Sequence, residues 1–196
     1  MAGRPAVFLD RDGVLVESRV VDGVPLPARR PSELRLLHGV AATCAALHEA
    51  GLALVVVTNQ PDIARGALEP EDLEAMHELL RAWLPLDEIV VCAHDDADDC
   101  ACRKPRPGMI LDAARRLGLD LRRSVLVGDR WRDIEAAQRA GIASVHIDWG
   151  HGEGLTLPAD ATFGSLELAQ NHLLDVTGLA GVRTTPGAPE NQELRQ

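Results

Sequence analysis

Two aspartates one residue apart, Asp10 and Asp12, are the first side chains in the sequence that could carry out chemistry. They follow a short apolar run, Ala6–Leu9, and Gly13 comes directly after them. Such a run bounded by a turn residue is typical of a buried strand in a parallel sheet. Because ligands bind beyond the carboxyl ends of these strands, both carboxylates are predicted at a reactive site. A solvated acidic turn is the alternative.

Two later strands are also predicted to end in polar side chains. Residues 52–58 end at Thr58 and continue into Asn59, and residues 124–128 continue into Asp129, with Asp133 four positions later. Thr and Asn are ordinary helix caps, and Asp133 could simply cap the helix that follows. Right-handed crossovers bring the carboxyl ends of parallel strands to one edge of a sheet, so these groups are expected to converge with the first two aspartates.

Lys104 is the only lysine among 20 basic residues, and all the others are arginines. It lies between Arg103 and Pro105, just before a helix predicted over residues 107–117. Lysine is a compact point charge that can reach a phosphate from one direction. Chance survival of one lysine in an arginine-rich composition is the alternative.

These residue types together favour phosphoryl transfer. Converging carboxylates repel one another unless a hard cation joins them, and oxygen ligands with open water positions suit Mg²⁺. A carboxylate can attack phosphorus as a covalent nucleophile and give an aspartyl-phosphate. The charge on the transferring oxygens then needs a metal on one side and fixed cations or donors on the other, here Lys104, Thr58 and loop amides.

Three of the four cysteines cluster near one histidine, as Cys92, His94, Cys100 and Cys102. A Cys₃His set suits tetrahedral zinc with all four positions filled by protein, which predicts a structural Zn²⁺. Unrelated thiols on a loop are the alternative. The loop between the ligand pairs carries four acids, which we expect at a solvated tip that points away from the pocket: Asp95, Asp96, Asp98 and Asp99.

The elements that must position these groups alternate between strands and helices, which predicts an α/β fold with a doubly wound, mainly parallel sheet. Further strands are predicted over residues 86–91 and 142–147. Residues 14–30 show no helical period and are predicted as a long ordered loop that contacts substrate. Besides the helix before residue 118, apolar spacing and helix stop signals predict helices over residues 32–50, 70–83, 134–140 and 165–176.

Length and charge set the limits of the interpretation. A chain of 196 residues suits one domain, predicted over residues 1–181, with a disordered polar tail over residues 182–196. The net charge of -10 argues against nucleic-acid binding. The absence of a long apolar run argues against a membrane span, and the early first strand leaves no room for a signal peptide. A cytoplasmic monomer is therefore expected.

Four motifs in this order resemble the haloacid dehalogenase (HAD) superfamily of phosphohydrolases: Asp10-Arg-Asp12-Gly13, Thr58-Asn59-Gln60, Arg103-Lys104-Pro105 and Gly128-Asp129-x-x-x-Asp133. With the zinc loop, the chain is similar to a small, capless subgroup of heptose 1,7-bisphosphate 7-phosphatases and histidinol-phosphate phosphatases. The resemblance implies a Rossmann-like HAD fold without a cap domain. It also implies that Asp10 is the nucleophile, that Asp12 is the general acid and then base, and that Asp10, Asp129 and the backbone carbonyl of Asp12 hold Mg²⁺.

The same resemblance assigns Thr58, Asn59 and Lys104 to the transferring phosphate and Arg103 to the rest of a small phosphorylated substrate. Three departures from the subgroup's pattern bear on the substrate: Pro-Asp follows Gln60 in place of Ser-Gly, Val14 replaces the usual Thr, and the loop through Arg30 is longer than is typical. A bisphosphate needs a second cationic patch, for which three arginines are available: Arg65, Arg103 and Arg106.

Three hypotheses therefore stay open. The first is a phosphomonoesterase that removes the 7-phosphate of D-glycero-D-manno-heptose 1,7-bisphosphate. The second is a phosphatase for histidinol phosphate or another small sugar phosphate. The third is a non-catalytic, zinc-stabilised binding module whose acids only cap helices.

Overall fold

A computed structural model describes residues 3–21, 24–150 and 154–180. The chain forms eight strands in these ranges: β1 (Ala6–Leu9), β2 (Arg19–Val21), β3 (Val24–Leu26), β4 (Ala53–Asn59), β5 (Glu88–Cys92), β6 (Val125–Gly128), β7 (Ala143–Ile147) and β8 (Ala161–Phe163). Six of them form one sheet in the order β5-β4-β1-β6-β7-β8, with every neighbouring pair parallel. The other two, β2 and β3, form an antiparallel hairpin.

Five α-helices cover both faces of the sheet: α1 (Val40–Glu49), α2 (Pro70–Trp83), α3 (Gly108–Leu117), α4 (Trp131–Ala140) and α5 (Leu166–Val176). Val7 and Leu9 of β1 pack into the core shared with α1, α2 and α5, whereas Ala6 and Phe8 pack into the core shared with α3 and α4. Successive side chains of a strand point to opposite faces, so burial on both sides explains the unbroken apolar runs of the central strands. The doubly wound parallel sheet predicted from the sequence is confirmed.

The strand order places the reactive side chains at a switch point of the topology. From β1 the chain builds β4 and β5 on one side, and then crosses to build β6, β7 and β8 on the other. The loops that follow β1, β4 and β6 therefore open at the same edge of the sheet. In doubly wound sheets this crevice is where ligands bind.

Two local predictions were wrong, and one strand was missed. The helix expected over residues 32–50 begins only at Val40, because Gly39 takes a left-handed conformation with φ of 74°, and a short 3₁₀ turn at Pro31–Glu33 precedes it. Within the segment expected to be a loop, the β2–β3 hairpin forms. The edge strand β8, three residues long and paired only with β7, was not predicted.

Two further sequence predictions concern the C-terminal tail and membrane spans. Residues 182–196, predicted as a disordered tail, lie outside the described residues. Across the three described ranges, no helix is long and apolar enough to cross a membrane.

Candidate active site

Lys104 occupies the centre of the site at the carboxyl ends of β1, β4 and β6. Its side chain is 3% exposed, and its Nζ donates hydrogen bonds of 2.8 Å to Asp10 Oδ1 and to the carbonyl oxygen of Val57. The same nitrogen lies 2.5 Å from Asp133 Oδ1. Burial alone would lower the pKa of Lys104, but the carboxylates of Asp10 and Asp133 outweigh it and raise the pKa above its ordinary value. The only lysine of the chain is therefore a fixed cation held between two acids.

Asp133 has a role that sequence reasoning left open. Its Oδ2 accepts a hydrogen bond of 3.2 Å from the backbone N–H of Arg130, so it does cap α4. Its other oxygen contacts Lys104 in the buried site. Asp133 thus belongs to the acid cluster as well as to the helix terminus.

Asp10, Asp129 and Asp133 present carboxylate oxygens that lie within 4.8 Å of one another. Burial, reinforced by Asp133 and Asp12 and opposed by Lys104, raises the pKa of Asp10 to about 6. Burial and then the nearby Asp10 and Asp133 raise the pKa of Asp129 to about 8. The Oδ1 atom of Asp129 is buried and has no hydrogen-bond partner among the described residues. Three crowded acids and an unpartnered buried oxygen fit a hard divalent cation with oxygen ligands.

Two glycines allow the acid-bearing loops to approach this closely. Gly13 has a φ of 81°, and a Cβ atom at this position would overlap the carboxylate of Asp129. A Cβ atom at Gly128 would overlap the side chain of Asp133. A larger residue at position 13 would therefore push the loops after β1 and β6 apart, and one at position 128 would displace Asp133 from the end of β6.

Asp12 is held from one side by two polar neighbours. The fully buried Arg11 donates from Nε to Asp12 Oδ2 at 2.9 Å and from Nη2 to Oδ1 at 3.1 Å. Gln60 Nε2 donates to Asp12 Oδ2 at 3.0 Å and to Thr58 Oγ1 at 2.9 Å.

Arg11 also affects His77. Burial, followed by the charge of Arg11, lowers the pKa of His77 to about 4, so this imidazole is neutral at pH 7. Sequence reasoning missed Arg11, because an arginine after a strand gives no signal that it turns inward.

Asn59 connects the end of β4 to the loop that carries the lysine. Its Nδ2 donates to the backbone carbonyl of Lys104 at 3.0 Å, and the backbone N–H of Lys104 donates to its Oδ1 at 3.1 Å. These reciprocal hydrogen bonds fix the backbone position from which Lys104 enters the acid cluster.

A cavity of about 300 Å³ opens above these groups. The predicted loop over residues 14–30 reaches it through Leu26, Pro27 and Arg29. Arg106 does not line it and belongs to an adjoining cavity of about 230 Å³. The catalytic cavity has an acidic floor and a wall rich in basic residues, and its polar lining comprises Asp10, Asp12, Thr58, Asn59, Gln60, Asp62, Arg29, Arg65, Arg103, Lys104, Arg130, Arg132 and Asp133.

Two of the four acids of the cysteine loop, Asp95 and Asp96, turn towards this wall, so the prediction that the acidic tip points away was wrong for these two. Asp95 accepts two hydrogen bonds of 2.7 Å from Arg65. Asp96 accepts hydrogen bonds from Arg103 at 2.8 Å and from Arg132 at 3.0 Å. Hydrogen bonds from Arg65 lower the pKa of Asp95 to about 2, and that of Asp96 is lowered chiefly by Arg103. Attraction by the wall arginines explains the direction of the tip.

The four residues predicted as zinc ligands come together. The Sγ atom of Cys102 lies 3.3 Å from those of Cys92 and Cys100, and the latter two sulfurs are 3.6 Å apart. His94 Nδ1 lies 3.6 Å from Cys92 Sγ and 3.3 Å from Cys102 Sγ. Burial raises the pKa of the Cys92 thiol to about 12, which opposes a thiolate unless a cation is bound. The donor set and its mutual distances fit a tetrahedral Zn²⁺ site.

Comparison with known proteins agrees with this geometry. Residues 28–141 match the family described as haloacid dehalogenase-like hydrolase. This chain belongs to the haloacid dehalogenase-like hydrolases. Their fold accounts for the parallel sheet and its loop-borne acids, and the resemblance drawn from the four motifs is confirmed.

Several relatives within this family carry names. A D-glycero-beta-D-manno-heptose-1,7-bisphosphate 7-phosphatase from Rhodopseudomonas palustris is 39% identical over 157 residues, which cover 74% of this chain and 84% of the relative. A protein of the same name from Escherichia coli K12 is 36% identical over 157 residues, covering 71% of this chain and 76% of the relative. A crystal structure of the D,D-heptose 1,7-bisphosphate phosphatase from B. bronchiseptica, complexed with magnesium and phosphate, superposes with a TM-score of 0.73 at 33% identity, covering 87% of this chain and 98% of that one.

Proposed function

We propose that this chain is a Mg²⁺-dependent phosphomonoesterase that removes the 7-phosphate of D-glycero-D-manno-heptose 1,7-bisphosphate through an aspartyl-phosphate. The observation that carries the proposal is the convergence of Asp10, Asp129 and Lys104 at one edge of the sheet. Nucleophile, metal-binding acid and fixed cation lie together there, as phosphoryl transfer requires. The names of the relatives support the choice of substrate.

Asp10, Asp129 and the backbone carbonyl of Asp12 would hold Mg²⁺. The bound ion would neutralise charge on the phosphoryl group and keep the Asp10 carboxylate ionised at neutral pH. The unpartnered oxygen of Asp129 supports this assignment, because it has no other ligand among the described residues.

In the first half of the reaction a carboxylate oxygen of Asp10 attacks phosphorus, and the bond from phosphorus to the sugar oxygen breaks. Asp12 gives its proton to the departing alkoxide. In the second half Asp12 takes a proton from water, whose oxygen attacks the aspartyl-phosphate and releases inorganic phosphate and Asp10. Lys104 and the hydroxyl of Thr58 face the transferring phosphate and offset its negative charge.

The cysteine cluster would hold a structural Zn²⁺. Four protein ligands leave no position for substrate, so the ion would act by fixing the loop rather than by chemistry. Arg103 and Lys104 follow the last ligand, Cys102, directly, and a fixed loop therefore fixes both cations.

The basic wall of the cavity favours a bisphosphate over histidinol phosphate. Arg65 and Arg103 are proposed to bind the part of the substrate that is not hydrolysed. A substrate with one phosphate and a cationic amine would use only the acid cluster and Lys104. A non-catalytic binding module is disfavoured, because buried acids with raised pKa values are costly unless they serve a cation or a reaction. The monomeric state, the cytoplasmic location and the lack of partners other than a small phosphorylated substrate stay predictions.

The test is a comparison of turnover. Purified protein with Mg²⁺ should release phosphate from heptose 1,7-bisphosphate with a higher kcat/KM than from histidinol phosphate. Asp10→Asn should abolish release from both, whereas Asp112→Asn, at a half-buried acid on α3 outside the cavity, should leave both rates unchanged. A preference for histidinol phosphate would refute the heptose assignment, and no release from either would favour the binding module.

A further inference from the structure

The carboxylate of Asp96 lies between two arginines of the cavity wall. Its Oδ1 accepts hydrogen bonds both from Arg103 Nε, at 2.8 Å, and from Arg132 Nη1, at 3.0 Å. One anionic oxygen shared by two guanidinium groups is also the arrangement in which arginines bind a phosphate. The pair of arginines therefore already has the spacing of an anion site.

Both arginines are held in place by contacts other than Asp96. Arg132 lies over the ring of Trp131, with its guanidinium carbon 4.8 Å from the ring centroid. Arg103 has an 11% exposed side chain and donates from Nη1 to the backbone carbonyl of His94 at 3.2 Å. Their positions therefore do not depend on the acid alone, and an incoming anion would find the site formed.

The two arginines, Arg103 and Arg132, form a clamp that faces the reacting groups. Arg103 and Arg132 line the same cavity as Asp10 and Lys104. Lys104 is already engaged by Asp10 and Asp133 in the buried floor, whereas Arg132 is 31% exposed on the wall. A molecule with two phosphates could thus place one at the floor and the other at the wall.

We propose that Arg132, together with Arg103, binds the phosphate that is not hydrolysed, and that Asp96 occupies this clamp until the substrate displaces it. The inference rests on the proposed bisphosphate substrate and adds Arg132 as a specificity-determining residue, which no motif in the sequence marked. Arg132 acts on the remote phosphate and has no part in the chemical step.

Displacement of Asp96 is favoured by charge. The Asp96 side chain is 55% exposed, and ion pairs at such exposed positions are weak. A phosphate brings up to two negative charges and three acceptor oxygens, where the carboxylate has one charge and two oxygens. Two guanidinium groups therefore bind the phosphate more strongly, and the released acid turns to solvent.

The experiment compares D-glycero-D-manno-heptose 1,7-bisphosphate with the 7-phosphate of the same sugar, which lacks the remote group. For the bisphosphate, Arg132→Gln should lower kcat/KM by about 10- to 100-fold, the loss expected for hydrogen bonds between charged groups, and mainly through KM. For the monophosphate, the loss of kcat/KM should be at least tenfold smaller, about what the removal of one charge at the edge of a binding site costs. Arg132→Lys should recover part of the loss, because it keeps the charge but not the fork.

Asp96→Asn provides the opposite change. Loss of the competing charge should lower KM for the bisphosphate, by up to about fivefold for an exposed ion pair, and should not lower KM for the monophosphate. Arg115→Ala, which removes an exposed arginine of α3, is the matched control and should leave both substrates unaffected.

Each result bears on a separate statement. If the parent protein does not hydrolyse the bisphosphate, the proposed function and the clamp both fail. If the parent does hydrolyse it but Arg132→Gln affects both substrates equally, or leaves KM for the bisphosphate unchanged, only the clamp is overturned and the salt bridge is structural. Thermal unfolding shows whether each variant is folded. If Arg132→Gln does not fold, the change of KM in Asp96→Asn decides, and a rise or no change refutes the proposal.

Discussion

Replacement of Lys104 by methionine tests the electrostatics of the site. The change keeps the length of the side chain but removes the cation that contacts both Asp10 and Asp133. In the metal-free protein it leaves three carboxylates, including Asp129, within 4.8 Å of one another and without that cation.

The expected loss follows from burial. Lys104 is 3% exposed and contacts two acids, and removal of one partner of a buried ion pair typically costs about 3–5 kcal/mol. In a domain of this size each kcal/mol lowers Tm by about 2–4 °C, so we expect Tm to fall by at least about 6 °C in the metal-free protein. Mg²⁺ would neutralise the same carboxylates, and we therefore expect it to raise Tm more in the variant than in the parent. Phosphatase activity should fall by at least about 100-fold, because the cation facing the phosphate is lost.

The assay is thermal and denaturant unfolding in EDTA and in Mg²⁺, beside phosphate release. Arg115→Met removes a cation from an exposed position and should change the free energy of unfolding by no more than about 0.5 kcal/mol. If Lys104→Met cost less than about 1 kcal/mol, the value of an exposed pair, Lys104 would not be the counter-ion of the acids. If Mg²⁺ raised the Tm of Lys104→Met by no more than it raises the Tm of the parent, Mg²⁺ and Lys104 would not neutralise the same carboxylates.

Three further predictions concern the metals and the close approach of the loops. Cys100→Ser should lower the zinc content measured by elemental analysis, whereas Cys44→Ala, outside the cluster, should not; unchanged zinc in the first variant would remove the Cys₃His assignment. The pKa of Asp129 in the folded protein, about 8, lies above its ordinary value of 3.8. The metal-free folded protein therefore retains a proton that the unfolded chain has released. The free energy of unfolding of the metal-free protein should fall as pH rises from 6.5 to 8. Mg²⁺ must displace that proton, so its affinity by calorimetry should rise over the same interval, and a flat profile would contradict the shift. Gly13→Ala should abolish Mg²⁺ binding, because its Cβ would overlap Asp129. The control is Gly51→Ala, at a φ of 97° but with no atom within 4 Å of its Cβ, which should cost only the backbone strain of about 1–2 kcal/mol. Equal Mg²⁺ affinity in the two variants would show that the protein relieves the overlap between residue 13 and Asp129.

Local signals predicted the parts of the fold that depend on neighbours in sequence. The helix over residues 70–83 was predicted with the bounds that α2 has, because Pro70 opens it and its apolar residues recur on one face. The rule that the carboxyl ends of parallel strands lie at one edge of the sheet was enough to predict that Asp10 and Asp129 come together.

Interactions between distant residues explain what was missed. Leu34 and Leu37 match the spacing of α1 and pack in the same core, but they precede Gly39, whose left-handed backbone stops the helix from extending to them. The direction of Asp96 depends on Arg103 and Arg132, which lie 7 and 36 residues away, and no pattern within the loop encodes it.

Rapid-quench detection of the phosphoryl-enzyme tests the central proposal most directly. Protein mixed with heptose 1,7-bisphosphate and Mg²⁺, quenched in acid within the first turnover and digested, should carry one phosphoryl group on the peptide that contains Asp10. The Asp10→Asn variant should carry none and release no phosphate. Phosphate release without a modified peptide, or release that survives in Asp10→Asn, would contradict the assignment of Asp10 as the nucleophile.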